Sequence, residues 1–162
     1  MVPNSEEHKA FSIEWRDAFK INLPLIDQEH RHLFTLVKAL NLASVDQTVD
    51  ELLDYVVTHF THEQELMEQH RYPAFEEHLK LHESFSASVA DFLSSGEPWT
   101  EQRIQDLRRF LNRWLIGHIM THDLRFGKWM ETRKSAMATA QAARPQPVAE
   151  RKGLLARWFG RG

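Results

Sequence analysis

Cysteine is absent from this chain. A disulfide framework, a thiolate zinc site, an iron–sulfur cluster and a thiol nucleophile are therefore all excluded. Glycine and proline are scarce between residues 25 and 130, and the alternating pattern of strands is missing there. Neither sign of charge dominates: the formal net charge is −3, which gives no reason to expect nucleic acid as a partner. No run approaches the roughly 20 apolar residues of a membrane span. The opening MVPNSEEHKAFSIEW has no basic stretch leading into an apolar one, so it does not read as a secretory signal. What remains is the expectation of one cytoplasmic domain, with 42% hydrophobic content over 162 residues as material for its core.

What the chain does have is histidine, 10 in all, and they cluster. All but His8 fall within four segments of helical periodicity: about Leu25 to Ala43, Thr48 to His70, Ala74 to Leu93, and Trp99 to Thr132. Short connectors between such segments predict an all-α fold, an antiparallel up-down-up-down four-helix bundle with an N-terminal arm and a C-terminal extension. The expected organisation is an arm over 1–22, whose Phe11, Trp15 and Phe19 pack on the bundle, and the bundle itself over 23–133. A flexible linker follows over 134–150, and a short basic amphipathic tail over 151–162.

Each helix carries an apolar stripe at spacings of three and four. The stripes read Ile26, His30, Leu33, Val37, Leu40; then Leu52, Val56, His59, Glu63, Leu66; then Phe75, His78, His82, Phe85, Val89, Phe92; then Leu107, Leu111, Trp114, His118. The polar members agree in height. His30 lies early in the first helix, His59 and Glu63 late in the second, His78 and His82 early in the third, and His118 and Asp123 late in the fourth. Alternating helix directions bring all of them to one end of the bundle. An unpaired buried carboxylate costs several kcal/mol, about 2–7 for the polar group alone. Two carboxylates among five imidazoles therefore call for metal ions.

A spacing of i, i+4 sets two side chains about 6 Å apart along the axis and roughly 40° apart around it, so His59/Glu63 and His78/His82 can each grip a metal. His118 and Asp123 are five apart. Side-chain reach or a local π-type widening would unite them, and the sequence leaves both open. Seven ligands exceed one tetrahedral zinc and suit two metals with bridging carboxylates. Iron fits this imidazole-rich set, without excluding zinc, copper or nickel. The Glu-x-x-His motif of ferritin-like di-iron bundles occurs only once, at Glu29/His32.

The segments IDQEH (26–30), HFTHEQELM (59–67), HLKLH (78–82) and WLIGHIMTHD (114–123) resemble the hemerythrins, bacterial ones in particular. The resemblance spans roughly residues 12 to 132. It implies a non-haem di-iron centre with a bridging oxo or hydroxo group that binds O2 reversibly, for carriage, storage or delivery to a partner. By position, His78, His82 and His118 would hold one iron, and His30 and His59 the other, which keeps an open place for O2. Glu63 and Asp123 would bridge. Leu33, Phe60, Trp114, Leu115 and Ile119 are the expected wall of the O2 pocket. One departure is visible: Gln64 stands where the family often has a second Glu, at a position expected to face away from the metal with little effect.

Other readings use the same ligands: a di-iron oxidase or peroxidase, a nitric oxide-reactive enzyme, an oxygen or redox sensor, or iron storage. All-imidazole terminal ligation argues against strong O–O activation. In the tail, Leu154, Leu155, Trp158 and Phe159 share one side of a short helix beside Arg151, Lys152, Arg157 and Arg161. That pattern suits an anionic membrane surface, here the inner membrane face, or a groove on a partner protein.

Overall fold

The computed structural model describes residues 13–143. The tail residues Leu154, Leu155, Trp158 and Phe159, and Phe11 of the arm, lie outside them. The described residues contain helices and no strand, and the fold is the antiparallel four-helix bundle that the sequence predicts. The chain divides into two compact units, residues 1–128 and 129–162, and the bundle belongs to the first.

Helix α1 (Pro24–Ala39) begins with proline in its first turn, where the missing N–H is no loss. It stops short of Ala43 because Asn41 makes a turn of its own. The Asn41 amide donates to the Ala39 carbonyl and its oxygen accepts from the Ala43 N–H. Helix α2 (Val45–Gln69) ends where Arg71 turns left-handed (φ 56°) and the Tyr72 N–H bonds back to the Met67 carbonyl at 2.8 Å. Helix α3 is Phe75–Ser94. Helix α4 (Glu101–His118) is capped by Thr100, whose hydroxyl accepts from the Arg103 N–H. A π-helical segment, Ile119–Asp123, joins α4 to α5 (Leu124–Ala142).

Helix α5 reaches well past residue 133, where a linker was expected. The sequence KSAMATAQA is rich in helix formers, and neither glycine nor proline occurs between Gly127 and Pro145. Within this second unit the Arg133 guanidinium lies over the Trp129 ring. No helix among the described residues is long and apolar enough to cross a membrane.

The apolar stripes meet in a core that includes Ile26, Leu33, Val37, Leu52, Val56, Phe85, Leu107 and Leu111. The end away from the histidines is tied by polar contacts. The buried Arg108 donates to the Val37 and Leu40 carbonyls at the end of α1, and Trp99 Nε1 donates to Asp46. At the histidine end the arm lies over α1: Phe19 stacks on Phe34, and Trp15 lies 6.4 Å from the His30 ring. The arm's backbone runs tight against Gly127, where a Cβ would lie 2.2 Å from the Ile21 carbonyl oxygen. Only glycine fits this approach.

Candidate metal centre

His30, His59, Glu63, His78, His82, His118 and Asp123 are all buried, none more than 5% exposed. The structure brings all seven together at one end of the bundle. Two overlapping groups have ligand atoms within 4.8 Å of one another: Glu63, His78, His82 and His118; and His30, His59 and Glu63. Glu63 belongs to both. Asp123 also reaches both sides, with Oδ1 at 3.0 Å from His118 Nε2 and 3.2 Å from His78 Nε2, and Oδ2 at 3.1 Å from His30 Nε2.

The π-helical segment makes this possible. On a regular α-helix a residue five positions on lies about 500° around the axis, or 140° away from the first. The extra residue in the π turn returns Asp123 to the side of His118, and the Leu124 N–H bonds to the Ile119 carbonyl five residues back. The widening that the sequence left open is present.

The residues fit a pair of cations. Both oxygens of Glu63, both oxygens of Asp123 and both ring nitrogens of His30 are buried and make no hydrogen bond among the described residues, although imidazoles and carboxylates lie within ion-pair distance. His82 Nε2 and His78 Nε2 each lie 3.1 Å from His118 Nε2. Three ring nitrogens and four carboxylate oxygens aimed at one small volume leave no better partner than a metal.

Without metal, protons supply the positive charge. Burial pushes the Glu63 carboxyl up, and Asp123 pushes it further. His59, His78 and His82 outweigh both, so Glu63 titrates lower than usual. Asp123 is likewise lowered against its burial, chiefly by His118. Burial pulls His78 down, but the Asp123 and Glu63 carboxylates beside its ring win and hold it up at about 9. For His82 burial prevails over Glu63 and takes it down to about 4.

The aromatic residues expected in a pocket wall divide by position. Phe60 stacks face to face on His82, centroids 3.7 Å apart, and Trp114 stacks on His118 at 4.3 Å. Phe60 also lies 5.7 Å from His59, so it spans both halves of the centre. Leu33, Leu115 and Ile119 are buried beside the ligand-bearing turns. Trp114 is only half-buried.

Two supporting residues escaped the sequence reading. Glu29, weighed there only as half of a Glu-x-x-His pair, is buried and accepts from His59 Nδ1 at 2.9 Å and from His62 Nδ1. Its place on the core stripe, three after Ile26 and four before Leu33, was the available signal. His32 points elsewhere, against Tyr55. Gln64 does more than face outward: its side-chain amide lies 3.3 Å from His82 Nδ1, behind that ligand.

Comparison with known proteins gives a consistent picture. The sequence model of a family described as "Hemerythrin HHE cation binding domain" matches residues 22–129. A bacteriohemerythrin of Stenotrophomonas maltophilia (strain R551-3) is 34% identical over 119 residues, 67% of this chain and 75% of that one. The hemerythrin subunit alpha of Lingula anatina is 35% identical over 115 residues, 69% of this chain and 90% of that one. A solved structure titled "Crystal structure of hemerythrin:wild-type" superposes with a TM-score of 0.64 at 29% identity, over 72% of this chain and 95% of that one.

Proposed function

The chain belongs to the hemerythrin family, and from that premise we propose that it binds O2 reversibly at a non-haem di-iron centre. The observation that carries this reading is the convergence of five imidazoles and two carboxylates in the buried interior, where the carboxylate oxygens and His30 make no hydrogen bond. His78, His82 and His118 would hold one iron, and His30 and His59 the other. Glu63 and Asp123, each near both histidine groups, would bridge. Two irons so held would supply two electrons for O2 binding, one from each. The unequal count of imidazoles, three against two, would leave room for an external ligand on the His30/His59 side.

The rest of the work falls to the protein. Phe60, Leu33, Leu115 and Ile119 exclude water around the centre, so that charge placed there is not drained by solvent. Glu29 fixes the His59 ring through Nδ1 and thereby turns Nε2 inward. The scarcity of carboxylate ligands, two bridging and none terminal, favours binding over O–O cleavage. The role is then carriage, storage or delivery of O2.

The test is anaerobic reconstitution with ferrous iron, a metal count, and visible spectra in air and again under argon. Two irons per chain, with colour that appears in air and fades under argon, support the reading. Colour that appears once and persists, or a single metal per chain, overturns it.

A further inference from the structure

The two halves of the centre are backed by groups of different charge. Behind the two-histidine half stands a carboxylate: Glu29 accepts from His59 Nδ1 at 2.9 Å. It is itself clamped from the other side by His62, a residue outside the ligand set that is half-exposed on α2. Behind the three-histidine half stands a neutral amide, Gln64, 3.3 Å from His82 Nδ1. Glu29 and His59 are both buried, so solvent does little to screen that contact. Of these partners, only Glu29 bears a negative charge.

We propose that Glu29 and Gln64 set the two metal positions apart in redox potential, making the His30/His59 position the one that is oxidised first. This rests on the di-iron reading above and deepens it. The cause is the imidazole ring itself. A ligating histidine presents Nε2 to the metal and carries its proton on Nδ1. A carboxylate acceptor on that N–H draws the proton outward, makes the ring a stronger donor, and stabilises the higher oxidation state. An amide oxygen does this far less. Turning the Gln64 amide about its last bond places oxygen where nitrogen now stands, so that it accepts from the His82 N–H of the metal-bound tautomer.

The functional consequence concerns order. The position with fewer imidazoles, the one with room for O2, is the one from which the first electron leaves most easily. His62 extends the device to the surface: its hold on Glu29 keeps the carboxylate aimed at His59 rather than at water.

The experiment is potentiometric titration of the di-iron protein with one-electron mediators at an electrode, followed by the spectrum of the mixed-valence form, on wild type, Glu29→Gln and Gln64→Glu. In the wild type, two separate one-electron steps are expected. Glu29→Gln moves the lower-potential step to more positive values and leaves the other in place. Gln64→Glu moves the higher-potential step to more negative values, so the two steps converge. Glu29→Gln also weakens iron retention against a chelator by about 10–100-fold. The inference is overturned if the wild type shows one concerted two-electron step, if neither substitution shifts a step, or if both substitutions shift both steps equally. Circular dichroism and a metal count accompany each protein. Failure of wild type to hold two irons would sink the di-iron reading itself, whereas two irons with unresponsive potentials would sink only this inference. If Glu29→Gln fails to fold, Gln64→Glu decides alone, since Gln64 is only half-buried.

Discussion

His118 and Asp123 stand five residues apart, yet His118 Nε2 and Asp123 Oδ1 lie 3.0 Å from each other. The π-helical turn between them is what closes the distance. Deletion of Thr121, one of its exposed residues, should return the segment to α-helical register with the acid four positions after His118, about 40° around the axis, so that the carboxylate still faces the centre and two metals are kept. Insertion of an alanine at the same point should instead turn Asp123 about 100° away from His118, with the metal count falling from two to one or none. Full retention of two metals by the insertion protein would contradict this placement of Asp123.

Proton competition should govern metal loading. His78 is held up at about 9 in the metal-free protein and must lose its proton to ligate. Iron affinity should therefore rise with pH and level off near 9, with protons released on binding. The same group stabilises the metal-free fold fully below its unfolded value, near 6.5, and that contribution is lost as pH rises through about 9. Thermal melts of metal-free protein from pH 6.5 to 9.5 should show this decline, and chelator competition over the same range should show the opposite trend for metal.

Replacing Arg108 by Met should destabilise the fold without touching the centre. The guanidinium is buried at the far end of the bundle and serves the Val37 and Leu40 carbonyls. Its loss leaves those carbonyls without their side-chain donor, at about 1–3 kcal/mol. Denaturant melts should register the loss, while the spectrum of the loaded protein stays as in wild type.

Gly127→Ala should displace the arm. The new Cβ would meet the Ile21 carbonyl oxygen at 2.2 Å, a backbone atom that has to move. The Ile21 N–H is held by Asp27, and Trp15 and Phe19 lie farther up the same arm over His30 and Phe34. A cost of about 1–3 kcal/mol is expected, with a change in the environment of Trp15 that tryptophan fluorescence would report.

How far the sequence was legible depended on whether a local pattern sufficed. The stripe of Ile26, His30, Leu33 and Val37 was visible because burial on a helix repeats at three and four, and the agreement of His30, His59, His78 and His118 in height followed from alternating helix directions. Residues whose role depends on a second helix were not legible. Glu29 reads as a polar neighbour of His30 until α2 brings His59 and His62 to it. Gln64 reads as surface until α3 brings His82. The end of α1 went astray for a local reason, since the Asn41 side chain competes with the helix for backbone partners. The π turn carries no composition signal at all: IMTHD could continue an α-helix, and the shared demand of His118 and Asp123 for one interior point is the only hint.

The central claim is that O2 leaves as it arrived. The most direct measurement loads the ferrous protein with isotopically labelled 18O2, purges it with argon, and follows both gas and water by mass spectrometry. The account predicts that the label returns to the gas as intact 18O2, in proportion to one molecule per two irons. Label found in water, or retained while the iron stays oxidised, would contradict reversible binding and make the centre an oxygen-consuming one.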